Sequence, residues 1–320
     1  MLMHKALITG ITGQTGSYLA QEFSEIGWEV HGLSTGALPH GKMPGVYLHE
    51  LDLLDRAATQ KKIHEILPDV VINLAAVSSV STSWENPLLT FDTNVMPVVN
   101  ILDTISKIEI ERFHKISFIQ ASSSEIFGLS TCVPIVEQSK LSPSNPYGAS
   151  KAAAHVITNS YKASGINASN AILFNHESPR RPETFVTRKI TKGVARISKG
   201  LQDKIMLGDI TVSRDWGWAP DYAHALRLMA ESPNPRDYVI ATGEAHTIEE
   251  FVQIAFGCIG ISDWNKYVEI DPTLIRKTES KIVVGNAELI RNDLGWKPRV
   301  LFPEMIKRMV LADLEQINQE

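Results

Sequence analysis

The chain is 320 residues long, 43% apolar and 21% charged, with 31 basic against 36 acidic side chains for a net charge of −5. That length accommodates a large domain plus a smaller lobe, and the near-balance of charge argues against a protein built to bind nucleic acid or an anionic membrane. Two cysteines, Cys132 and Cys258, exclude a disulfide scaffold or a four-thiolate zinc site, and the ten histidines show no metal-ligand spacing.

The N-terminal residues Met1-Leu2-Met3-His4-Lys5 lead straight into an apolar strand. They lack a signal-peptide layout, and no apolar run approaches the about 18 residues of a membrane span, so a cytoplasmic protein is expected. Strand-like runs at Lys5–Thr9, 29–33, 69–76, 115–121 and 167–174 alternate with helical stretches at 16–26, Arg56–Ile66, 88–105 and 147–162. Such alternation implies parallel strands joined by right-handed crossovers, hence an α/β doubly wound sheet. The strands read as continuous apolar runs, as when both faces of a sheet are covered. Beyond residue 175 the rhythm changes. A break at 178–182 precedes a helix over 185–199; a helix at 220–231 and a strand at 238–241 rejoin the main pattern; helices follow at 247–256 and Phe302–Ile317. The reading is a dinucleotide-binding Rossmann-type domain of residues 1–174 plus about 215–242, with a smaller substrate-binding lobe of about 175–214 plus 243–320. The cleft between them would be the site.

Between the first strand and first helix stands Thr9-Gly10-Ile11-Thr12-Gly13-Gln14-Thr15-Gly16. Glycines there permit a tight turn, close approach of backbone to a pyrophosphate, and close helix packing, with the helix N-terminus facing the phosphates. Gly10, Thr12, Gly13, Gln14 and Gly16 are therefore candidate cofactor contacts. The second strand ends in His31-Gly32-Leu33-Ser34-Thr35-Gly36, with neither an acid for a ribose 2′-OH nor an arginine for a 2′-phosphate. NADP is favoured by the missing acid, and NAD stays open. Asp52 and Leu53, past the next strand, suit adenine contacts; Leu74, Ala75 and Ala76 are small enough at a strand end to let a cofactor pass.

Tyr147-Gly148-Ala149-Ser150-Lys151 places tyrosine and lysine at i, i+4 on one helix face. A lysine cation lowers a tyrosine's pKa, and the phenolate then takes a hydroxyl proton as hydride leaves the carbinol. Ser122-Ser123-Ser124-Glu125 lies at the carboxyl end of the preceding strand, where open α/β sheets bind ligands. Glu125 is placed to remove a C–H proton acidified by a neighbouring ketone, which would turn a redox site toward elimination; an ion-paired structural glutamate is the alternative.

In this order the glycine loop, the Asn73-Leu74-Ala75-Ala76 strand end, the serine run and Tyr147/Lys151 resemble the extended short-chain dehydrogenase/reductase family over essentially the whole chain. The resemblance implies Ser123, Tyr147 and Lys151 as a catalytic triad. Further motifs resemble the GDP-mannose 4,6-dehydratases within it. These are Asn175-His176-Glu177-Ser178-Pro179-Arg180-Arg181, Thr184-Phe185-Val186-Thr187-Arg188-Lys189-Ile190, Arg214-Asp215-Trp216-Gly217, and the stretch from Tyr267 to Glu279 that includes Arg276. By that likeness His176 and Arg181 join the cofactor contacts, and Asn175, Glu177, Val186, Lys189, Arg214, Arg276 and Glu279 take the GDP-sugar. Arginines suit a diphosphate, and Glu279 would accept hydrogen bonds from guanine.

Three departures stand out. Serine replaces the usual threonine at position 123, an Arg-Arg-Ser-Ser stretch after the second strand is absent, and the segment before Leu48 is short. The family's dimer, built on helices 88–105 and 147–162, would use Val98, Leu102, Ala153 and Ile157; a tetramer loses its expected loop. The implied activity is C4 oxidation, loss of water across C5–C6 and return of hydride to C6. A reductase of the 4-keto product, an epimerase, an enzyme of a related GDP-sugar such as a GDP-mannoheptose, and a silent NADP-sensing protein remain the alternatives.

Overall fold

A computed structural model describes residues 3–36, 45–130, 133–275 and 281–319. The centre is β1 (Lys5–Thr9), whose Ala6, Leu7 and Ile8 are fully buried. It is flanked on one side by β2 (Glu29–Ser34) and β3 (Val46–Glu50), and on the other by β4 (Val70–Asn73), β5 (Ser117–Ser123), β6 (Ala168–Leu173) and finally the strand Tyr238–Ile240. All six pairings are parallel. After β3 the chain returns across β1 to β4. This reversal opens a crevice at the carboxyl ends of β1 and β4, where doubly wound sheets bind ligands.

Helices cover both faces: α1 (Gln14–Glu25), α2 (Arg56–Ile66), the short α3 (Val80–Glu85), α4 (Pro87–Arg112) and α5 (Pro146–Ala163). The expected strand over 69–76 stops at Asn73, which leaves Leu74–Ala76 as open loop. The strand expected to close at 121 continues to Ser123, which is its last residue. The expected α1 start at 16 moves to Gln14, because Gly13 already serves as the extended cap residue.

A second apolar core lies apart from the sheet. It joins α6 (Val186–Ser198), α8 (Ile248–Gly257) and α10 (Phe302–Ile317) through Ile190, Val194, Phe251, Phe256, Met305 and Met309. Between α6 and α8 in sequence, α7 (Ala219–Glu231) returns to pack on α1 and the sheet, with Tyr222 fully buried. α9 (Glu288–Leu294) and Trp296 also join the sheet's core rather than the second one.

Val98 and Leu102 correct the interface expectation. Both are fully buried in the protomer's own core, because that face of α4 covers the sheet. The outward apolar side chains are Leu88, Leu89, Phe91 and Ile110 on α4 and Val156 on α5. Among the described residues no helix is long and apolar enough to cross a membrane, and no His, Cys, Asp or Glu cluster could hold a metal ion.

Candidate active site

The glycine loop is a backbone cradle with little room to spare. Gly10 takes φ +65°, and a Cβ there would lie 2.8 Å from the Ala75 nitrogen. At Gly16 a Cβ would lie 2.5 Å from the Gly10 carbonyl oxygen. The Gly10 approach sets the turn after β1 against the loop after β4, and the Gly16 approach closes the turn on itself. Gly13 caps α1 with no side-chain hydrogen bond, so the positive end of the helix faces the crevice. A dinucleotide pyrophosphate fits this arrangement. Thr12 Oγ1 lies 2.9 Å from Ser34 Oγ, which joins the loop to the end of β2. Asp52 accepts from the Leu54 N–H at 2.9 Å and shapes its own turn, beside buried Leu53.

Gln14 reaches out of the loop. Its amide donates to the His176 carbonyl at 2.9 Å and accepts from the Ser178 hydroxyl at 2.7 Å. These bonds cross to the short strand β7 (Asn175–Glu177), which pairs with Trp216–Trp218. His176 Nδ1 faces the Phe174 carbonyl at 2.8 Å and must donate to it, so neutral Nε2 accepts from Thr15 Oγ1 at 2.7 Å. Burial, and then the nearby Arg181 cation, push this histidine down to about 4. It therefore stays a neutral linker, stacked on Tyr222 at 4.7 Å.

The candidate reacting groups meet at the top of β5. Tyr147, in the first turn of α5, is 9% exposed and lies near Ser123. Burial raises its pKa; the Ser123 hydroxyl lowers it, the Glu125 charge raises it and Arg181 lowers it. The Lys151 Nζ donates to the Ala121 carbonyl at 2.9 Å, 6.0 Å from the Tyr147 ring centre, and burial brings the lysine down to about 8. Behind it runs a buried chain: Thr9 donates to Asn73 at 2.6 Å, and Asn73 to Gln120 at 2.8 Å. Gln120 donates in turn to the same Ala121 carbonyl at 2.9 Å.

Glu125 sits in the 3₁₀ turn Ser124–Phe127, and its backbone N–H donates to Ser123 Oγ at 3.2 Å. Its carboxylate accepts from Asn145 Nδ2 at 2.8 Å. Asn145 escaped the sequence reading. An asparagine before Pro146 signals a helix cap, but nothing local shows that its amide faces a residue twenty positions earlier.

On the second lobe's side, Glu177 is buried and accepts from Thr187 at 2.6 Å, with Arg181 Nε 3.3 Å away. Burial raises its pKa against both partners. Arg181 also lies over the Phe185 ring at 3.6 Å. Val186 opens α6, and Lys189 is half-buried on it near Asp271. The buried cation of that helix is instead Arg188, paired with Asp313 of α10. Arg214 is 9% exposed and donates to the Ser213 carbonyl at 2.7 Å. Arg276 and Glu279 lie outside the described residues. A cavity of about 320 Å³ opens beside the glycine loop, lined by Thr12, Gln14, Ser17, Arg180, Arg181 and Arg188 among others. Arg180 donates to Ser17 Oγ at 3.0 Å and lies over the Tyr18 ring at 3.9 Å.

Comparison with known proteins bears on this arrangement. A family profile described as "GDP-mannose 4,6 dehydratase" matches residues 7–309. Over 98% of this chain and 91% of its own length, GDP-mannose 4,6 dehydratase 1 of Arabidopsis thaliana is 45% identical. The GDP-mannose 4,6-dehydratase of Yersinia enterocolitica is 39% identical over 99% of this chain and 95% of its own. Among solved structures, Thermus thermophilus UDP-glucose 4-epimerase in complex with NAD superposes with a TM-score of 0.84 at 27% identity, covering 97% of this chain and 98% of that one.

Proposed function

The chain belongs to the GDP-mannose 4,6-dehydratase family, and from that premise we propose that it converts GDP-mannose to GDP-4-keto-6-deoxymannose. The observation that carries this reading is Glu125. Its carboxylate is held beside the Ser123–Tyr147 pair and acts electrostatically on the tyrosine. A redox site alone needs no such base.

The glycine loop, the Leu74–Ala76 loop, His176 and Arg181 would hold a nicotinamide dinucleotide; the structurally similar epimerase is in complex with NAD. Such a group would supply the hydride acceptor for C4 oxidation and the hydride donor for C6. NADP is the proposed form, since β2 ends in Ser34 with no carboxylate to repel a 2′-phosphate; NAD is the alternative. Tyr147 takes the proton of the C4 hydroxyl, and Ser123 orients that oxygen. Lys151 adds a nearby cation held on the Ala121 carbonyl. With a ketone at C4, the C5 proton is acidic enough for Glu125 to remove, and the C6 hydroxyl leaves as water with Ser123 or Glu125 assisting. Asn175, Glu177, Val186, Lys189 and Arg214 are proposed to face the sugar and diphosphate, together with Arg276 and Glu279.

Two lobes divide this labour, with residues 1–174 plus about 215–242 for the dinucleotide and the remainder for the GDP-sugar. A homodimer through the outward faces of α4 and α5 and a cytoplasmic location complete the proposal. Incubation with GDP-mannose, followed by mass spectrometry, tests the activity. Loss of one water per sugar is expected. A product of unchanged mass points to an epimerase, and gain of two hydrogens on the 4-keto sugar points to the reductase.

A further inference from the structure

Asn145 makes two short hydrogen bonds of different purpose with one side chain, besides a long one from Nδ2 to Ser144 Oγ at 3.5 Å. Its Oδ1 accepts the Gly148 N–H at 2.8 Å and caps α5, the helix that carries Tyr147 and Lys151. Its Nδ2 donates to Glu125 Oε2 at 2.8 Å. The residue is only 9% exposed, so these bonds are shielded from water. The first turn of α5 also presses on the main chain of the glutamate: a Cβ at Gly148 would lie 2.5 Å from the Glu125 carbonyl oxygen.

Capping alone does not call for asparagine, because serine and aspartate cap as well. Asparagine adds separate N–H donors while its carbonyl caps. The donor here engages Oε2, which leaves Oε1 to meet a proton. We propose that Asn145 is a positioning residue that fixes the Glu125 carboxylate relative to Tyr147, so that one side chain registers proton removal at C5 with proton transfer at the C4 hydroxyl. The proposal rests on the reading of Glu125 as the base.

Asn145→Ser keeps a cap but is too short to reach the carboxylate. Asn145→Asp keeps the cap and sets a like charge against it. Each would be mixed with GDP-mannose in heavy water in single-turnover experiments. Nicotinamide absorbance reports C4 oxidation, mass spectrometry reports C5 deuterium and water loss, and melting curves report the cap. The expected result for Asn145→Ser is C4 oxidation within about threefold of wild type and C5 exchange slowed about 10- to 100-fold, as misplacement of a reacting group by about an ångström does. KM should hold while kcat falls, and Asn145→Asp should be slower still at C5. Wild-type C5 exchange in both variants overturns the proposal. So does a parallel fall of both steps that tracks lowered melting temperature, which is the signature of a cap alone. A wild-type protein that neither oxidises nor dehydrates GDP-mannose overturns the functional reading itself, and this proposal with it.

Discussion

Replacing Glu125 by Gln removes the proposed base and leaves its surroundings nearly intact. The amide carbonyl still accepts from Asn145 Nδ2, now without a charge. A bond to a charged group contributes about 1.5–3 kcal/mol and a neutral one about 0.5–1.5, so about 1 kcal/mol of stability is lost. In a protein this size that lowers the melting temperature by a few degrees at most. The catalytic effect is far larger. An amide cannot take the C5 proton, and loss of a general base costs about 10²–10⁴-fold. Hydride loss from C4 should survive, because Tyr147, Ser123 and Lys151 are untouched. It should also extend to lower pH, since the Glu125 charge is one of the influences that raise the tyrosine's pKa. The assay mixes the variant with GDP-mannose, follows nicotinamide reduction by absorbance, and measures C5 deuterium uptake from heavy water. Reduced nicotinamide should accumulate while C5 exchange nearly stops. Wild-type C5 exchange and water loss in a folded variant would refute the reasoning and return Glu125 to a structural role.

Gly10→Ala should weaken both folding and dinucleotide binding, because its Cβ would meet Ala75 backbone at a positive φ. Gly27→Ala, at φ +79° with open space around it, bears the strain of about 1–3 kcal/mol alone. Equal urea midpoints for the two variants would contradict the cradle. For His176, held at about 4, the unfolded chain binds a proton that the native state does not as pH falls from 6.5. The stability it contributes is present above pH 6.5 and is lost toward pH 4, on the order of 3 kcal/mol in all. His176→Gln should flatten that acid limb in urea melts at stepped pH, and an unchanged slope would deny the histidine its buried neutral state. Leu88→Glu combined with Val156→Glu, both on outward faces, should give monomers in sizing with light scattering; a persistent dimer would place the interface elsewhere.

Much of the sheet was legible because local pattern decides it: apolar runs at Lys5–Thr9 and around 168–173 have no other stable place than a covered parallel sheet. The glycine loop and the Tyr147/Lys151 spacing were legible for the same reason, since both are local geometry. What escaped depends on distance along the chain. Gln14 meets His176 across 162 positions, and Asp215 gathers the N–H groups of Thr242, Gly243 and Gly285 into one carboxylate. No periodicity announces such bonds. Helix faces failed at finer grain. Val98 and Leu102 are apolar on a helix exposed on one side, yet only the position of the sheet decides which face is inward.

The bonds from Gln14 and Thr15 to His176 and Ser178, with that from Arg180 to Ser17, act as rivets between the opening turns of α1 and the strand leading to the second lobe. Riveted parts travel together, so the glycine-loop turn and the strand Asn175–Glu177 keep one mutual placement. A dinucleotide held at that turn, as proposed, would meet a stiff seat, which suits an enzyme that lends out a hydride and takes it back within one turnover.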